Sequence, residues 1–261
     1  MRPASVTFGL AALACAALAA AAPTAERAAV PEGDFTPVVA PGPALKSVHL
    51  AAFALDRRPV TNAEFLAFAT AHAAWRKGAA PALLADSQYL AQWAAAAELG
   101  RDAAPDQPVT RVSWFAARAY CAAAGGRLPS WYEWEYVAAA DETRADARSD
   151  PAFRERILAW YAVPASGGPP PVGRTPANLY GVQDLHGVIW EWVEDFGGMM
   201  ISGDSRTQGD PDKLQYCGAG ALSAEIRDDY PILMRMALLS SLEANFTTSH
   251  LGFRCAYGGS P

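Results

Sequence analysis

At 261 residues the chain has room for one large or two small domains. It is 51% apolar with 8 Trp, 9 Tyr and 10 Phe, which excludes a disordered chain, and its 21 Gly and 20 Pro argue for many turns over a helical bundle. A formal net charge of -6 with no basic block excludes nucleic acid as a natural partner.

The chain opens with Met1-Arg2-Pro3, an apolar run from Val6 to Ala22, and small residues before Pro23. Residues 1–22 read as a secretory signal peptide cleaved near Ala20–Ala22. The run is short and only weakly apolar for a bilayer span, and Ala12-Leu13-Ala14 is a poor fit to acylation at Cys15. The expectation is a periplasmic or secreted protein with no stable membrane insertion once the signal is removed. Export leaves Cys121, Cys217 and Cys255, so an oxidising compartment permits one disulfide and leaves one thiol over.

Residues 23–45 are rich in Pro and Ala without periodicity and read as a linker; a single domain follows over 46–258. Lys46–Leu55 alternates partly and reads as a strand. Three helix starts come next. Thr61-Asn62-Ala63-Glu64 forms a capping box ahead of Phe65, Phe68 and Ala69. Ser113 precedes a helix that Gly125 and Gly126 stop. Ser130-Trp131-Tyr132-Glu133 repeats the box, with Trp134, Val137 and Ala138 as the apolar face.

Leu90–Leu99 is Ala-rich and reads as helical. Residues 141–178 hold few strand signals, a charged stretch and the loop Gly167-Gly168-Pro169-Pro170-Pro171. Val193–Leu214 reads as loop. Strands are expected near Tyr216–Leu222, Leu233–Leu239 and Gly252–Tyr257. No repeat of fixed period is present. The class is α+β with much irregular structure.

Five blocks carry a resemblance. They are Pro59-Val60-Thr61-Asn62-Ala63-Glu64-Phe65; Pro108-Val109-Thr110-Arg111-Val112-Ser113-Trp114 with Ala119-Tyr120-Cys121; Gly126-Arg127-Leu128-Pro129-Ser130 with Glu133-Trp134-Glu135-Tyr136; Asn178 through Trp192; and Leu251-Gly252-Phe253-Arg254-Cys255. In this order they resemble the formylglycine-generating enzyme, or sulfatase-modifying factor, family. The resemblance implies a variant of the C-type-lectin-like fold, loop-rich, with a small antiparallel sheet and flanking helices.

It also implies sites. Asp184, Gly187, Ile189 and Glu191 match a calcium site of the family, where side-chain and backbone oxygens surround a hard cation. Cys121 and Cys255 match a disulfide of some members; the alternative joins Cys217 to Cys255 and frees Cys121. Arg235 and Arg254 match family arginines, expected to pair with buried carboxylates such as Glu133 or Glu135. The aerobic enzyme holds copper(I) on two cysteines five residues apart, soft thiolates suited to a soft ion. The matching positions here are Ser223 and Asp228.

Cys217 heads the segment Cys217-Gly218-Ala219-Gly220-Ala221-Leu222 as a spare thiol. It is a candidate redox or soft-metal residue, with Met199, Met200 or a histidine as companions, against the reading of an inert core cysteine. His49, His72, His186 and His250 show no helical ligand spacing and read as surface or packing residues. Trp114, Trp131, Trp134, Trp190 and Trp192 read as core aromatics.

Three functions compete. One is an accessory or maturation protein acting on another periplasmic protein, resembling family members found with copper nitrite reductase. The second is a metal-dependent oxidase of a protein cysteine or a small molecule. The third is a lectin-like binding module without chemistry.

Overall fold

A computed structural model describes residues 26–39, 46–162, 168–197 and 229–259. Two strands open it, β1 (Arg27–Val30) and β2 (Gly33–Phe35). They fall inside the stretch expected as a linker, which the structure corrects. Ala28 and Val30 alternate with exposed neighbours and are buried, so small Ala side chains supply a period that hydropathy alone hides. The expected strand at 46–55 is two strands, β3 (Val48–Leu50) and β4 (Phe53–Asp56).

β1 pairs antiparallel with β4 from Arg27 opposite Asp56 to Val30 opposite Phe53. The last strand, β7 (Ala256–Gly258), lies on the other edge of β4, giving the order β1-β4-β7. β2 and β3 form an antiparallel pair of their own. β5 (Trp190–Glu191) and β6 (Leu251–Gly252) form a short parallel pair.

The three capped helices are present. In α1 (Asn62–Ala71) the Glu64 amide donates to Thr61 Oγ1, and the Thr61 amide donates to Glu64 Oε2 at 2.8 Å. Ser113 caps α2 (Trp114–Ala123), which ends at Gly125 with φ 77°, a left-handed position that suits glycine. In α3 (Trp131–Ala138) the Ser130 amide donates to Glu133 Oε2 at 2.8 Å and the Glu133 amide donates back to Ser130 Oγ at 3.2 Å.

Leu90–Leu99 forms turns and no helix. The backbone leaves helical geometry at Leu90, φ 50°. The carbonyls of Ala91 and Trp93, which a helix would use internally, accept from Lys77 Nζ instead. Conversely, α4 (Pro151–Tyr161) lies where only a charged stretch was expected. Its signals are in the sequence: Asp150 as cap, Pro151 in the first turn, and Phe153, Ile157 and Trp160 at helical spacing. Leu233–Leu239, expected as a strand, is part of α5 (Tyr230–Ser240). Ile232, Arg235, Met236 and Leu239 recur at i, i+3, i+4 and i+7 and are buried. The expected strand at Tyr216–Leu222 lies outside the described residues.

A main core joins most of these elements, with separate small clusters at Phe35, Leu50 and Ala139 and at Ala147, Phe153 and Ile157. Its largest enclosed side chains include Trp93, Trp131, Trp134, Trp192, Phe65 and Phe253. The terminal run threads its centre: Phe253 and Cys255 carbonyls accept from the amides of Val60 and Asp56. Cys121 of α2 is bonded to Cys255, closing a separation of 134 residues. None of the described helices is long and apolar enough to cross a membrane.

Candidate functional site

The turn from Asp184 to Glu191 brings two buried acids and two buried arginines together. Glu191 is fully buried and so is Arg254, which lies two residues beyond β6. Arg254 donates from Nε to Glu191 Oε2 at 2.9 Å and from Nη2 to Oε1 at 2.8 Å. The same guanidinium donates to the carbonyls of Asp56 at 3.1 Å and Gln183 at 2.9 Å. Trp134 Nε1 donates to Glu191 Oε2 at 2.8 Å. Arg235 of α5 donates to the Glu191 carbonyl at 2.6 Å, and its guanidinium lies 3.7 Å from the Trp134 ring centre. That is a cation on an aromatic face. Burial depresses Arg235 to about 10, the Glu191 charge opposing the shift.

The partners of these groups correct the expectation. Arg254 pairs with Glu191, not with Glu133 or Glu135. Glu133 is held by Arg127 through two bonds of 2.6 Å. Glu135 accepts from the Val38 amide at 2.7 Å and Trp131 Nε1 at 2.9 Å, with Arg148 at 3.5 Å.

Asp184 has φ 61°, a conformation aspartate tolerates better than most residues. Its carboxylate accepts from the backbone amides of Gly173, Arg174 and Thr175 and from Thr175 Oγ1. All four oxygens of Asp184 and Glu191 therefore face N–H, hydroxyl or guanidinium donors. As placed, these two carboxylates do not fit a calcium ion. Among the described residues no group of three or more His, Cys, Asp or Glu is placed to hold a metal.

His186, inside the turn, is a packing residue. Its Nε2 is 3.0 Å from the Ala138 carbonyl, so that nitrogen carries the proton in the neutral ring. Trp134, Phe153, Trp160 and Tyr161 surround it. Burial depresses its pKa to about 4 and raises that of Tyr161 to about 12. Cavities of about 20 and 30 Å³ flank the ring.

Of the other expected residues, Trp131, Trp134 and Trp192 are core, and Trp114 and Trp190 are half-buried. Cys217, Met199, Met200, Ser223 and Asp228 lie outside the described residues. Sequence reading missed one buried acid, Asp56, whose hydrogen-bond role is invisible in one dimension, and gave Glu135 the wrong partner. Asp56 accepts from the Cys255 amide at 2.9 Å, and burial lifts its pKa to about 6. Burial lifts Glu135 to about 7 against the pull of Val38, Arg148 and Trp131.

These shifts fix a pH dependence. A carboxyl whose folded pKa is raised contributes stability that is full below its unfolded pKa and lost as pH rises through the folded value. For Glu135 the window runs from 4.5 to about 7. Buried neutral His186 acts oppositely, its contribution being lost as pH falls from 6.5 towards about 4. The informative quantity is therefore a difference curve. Between pH 4.5 and 8, wild type should lose on the order of 3 kcal/mol relative to Glu135→Gln, measured by urea unfolding. Parallel curves would contradict it.

Residues 16–258 match the Sulfatase-modifying factor enzyme 1-like domain. A formylglycine-generating enzyme of Mycobacterium tuberculosis is 28% identical, over 85% of this chain and 91% of that one. Another, from Streptomyces coelicolor, is 31% identical over 80% and 79%. A hercynine oxygenase of Mycobacterium tuberculosis is 32% identical over 56% of this chain but 38% of its own length. The solved structure of PvdO from Pseudomonas aeruginosa superposes with a TM-score of 0.50 at 21% identity, covering 89% of this chain and 94% of that one, a likeness of fold.

Proposed function

The chain belongs to the sulfatase-modifying factor enzyme 1-like family, and from that premise we propose that it is an exported accessory or maturation protein acting on another protein, a copper enzyme by preference, rather than a formylglycine-forming oxidase. The observation that carries this reading is a count of thiols. Of four cysteines, Cys121 and Cys255 are joined to each other. Cys15 falls in the segment that reads as a cleaved signal. Cys217 is then the single free thiol of the exported chain, and the two positions that match the family's thiol pair are Ser223 and Asp228. A two-thiolate copper(I) centre needs a second soft sulfur ligand, which no cysteine of this chain supplies.

A lone thiolate with thioether or imidazole companions suits transient handling of copper(I) better than catalysis on it. The family's relation to sulfatase maturation supports action on a protein substrate, and the signal-like N-terminus supports the periplasm as the place of work.

Two measurements test the reading. Copper(I) titration of the oxidised protein should show binding that Cys217→Ser weakens by tenfold or more; binding that is absent or indifferent to Cys217 would remove the copper half. A copper nitrite reductase co-produced in the periplasm should carry more copper with the wild-type chain than with Cys217→Ser. Equal copper content would sink the accessory role.

A further inference from the structure

We propose that guanidinium and amide donors hold the Asp184–Glu191 turn together, so that it folds and stays folded without the calcium ion expected there. A calcium ion in such a turn would gather oxygens from separated segments and neutralise carboxylates. Here Arg254 does the gathering. It holds the carbonyls of Asp56 and Gln183 and both carboxylate oxygens of Glu191. Arg235 takes the Glu191 carbonyl from the opposite element, α5. The amides of residues 173–175 take the Asp184 carboxylate.

Charge decides against an added ion. Asp184, Glu191, Arg235 and Arg254 are at most 1% exposed. Two carboxylates and two guanidiniums sum to zero. A divalent cation placed among them would leave a surplus of two charges beside two guanidiniums in a medium of low dielectric, where repulsion is many times its value in water.

Side chains of α4 also pack against the turn. Gly187 has φ 82°, and Trp160 of α4 occupies the space a side chain there would need. Tyr161 stacks on Trp190 at 5.2 Å between ring centres. Helix α4 thus covers the turn.

The test uses the full oxidised chain. Thermal unfolding is followed in excess EDTA and in millimolar calcium, and terbium luminescence sensitised by the neighbouring tryptophans is recorded. The expected result is one melting midpoint in both media and no sensitised emission. A midpoint several degrees higher in calcium, the shift expected of an ion present far above its Kd, would overturn the proposal. So would terbium emission that Asp184→Ala abolishes. Asp184→Ala supplies an independent reading: its midpoint should fall equally in EDTA and in calcium, whereas a fall confined to the calcium sample would show that the carboxylate holds an ion. If Asp184→Ala does not fold, the wild-type comparison alone decides.

Discussion

Replacing Arg254 by methionine should lower the unfolding free energy by about 3–5 kcal/mol, the cost of stranding one partner of a buried ion pair. Arg254 is fully buried and makes four hydrogen bonds to three segments that are distant in sequence, at Asp56, Gln183 and Glu191. Its loss leaves the buried Glu191 carboxylate with Trp134 Nε1 as its one remaining side-chain donor among the described residues. Arg254→Lys keeps the charge but not the fork that reaches all three segments, so it should fall between wild type and methionine. The double variant Glu191→Leu with Arg254→Met removes both charges and should recover much of the loss, because a buried pair offers little over well-packed apolar groups. Urea unfolding with an unchanged m-value is the measurement. A cost below ~1 kcal/mol for Arg254→Met would mean that the guanidinium does not organise the core.

The second large effect concerns the bridge. Joining residues 134 apart should stabilise the fold by about 5 kcal/mol in the chain-entropy account. The double variant Cys121→Ser, Cys255→Ser should therefore unfold at much lower urea, and reductant should move wild type towards it while leaving the variant unmoved. Both sulfurs are fully enclosed in the core, so slow reduction of the native protein is part of the same expectation. Coincident unfolding curves with and without reductant would contradict the assignment. The bridge matters beyond stability, because it removes Cys121 and Cys255 as thiol partners for Cys217.

Legibility in the sequence followed the range of each interaction. Capping boxes at Thr61 and Ser130 are contacts over three residues, and both helices start where those residues say. The apolar faces of α1 and α3 were equally readable. Elements defined by distant partners were not. β1 carries Ala28 where a strand usually shows a larger apolar residue, and only its pairing with β4 makes it a strand. The Ala-rich run at 90–99 has good helix propensity, yet Lys77 draws its carbonyls away. Helix α5 was misread as a strand although Ile232, Arg235, Met236 and Leu239 carry a period of helical type; the aliphatic composition of the run masked it.

The candidate site divides the same way. Family likeness marked the Asp184–Glu191 turn and the two arginines separately. It could not say which acid meets which arginine, since the Glu191–Arg254 pair spans 63 residues. Glu133 and Glu135 were plausible on composition, but each is claimed by a nearer cation or amide, Arg127 for one and Val38 with Arg148 for the other.

We propose a family scaffold in which Ser223 and Asp228 stand where the thiol pair is expected. Its most direct test incubates the oxidised protein with copper, dioxygen and a sulfatase-motif cysteine peptide, and reads the peptide by mass spectrometry. The account predicts an unchanged peptide mass under conditions where a formylglycine-generating enzyme converts it. The mass loss of thiol-to-aldehyde conversion, abolished in Cys217→Ser, would contradict it.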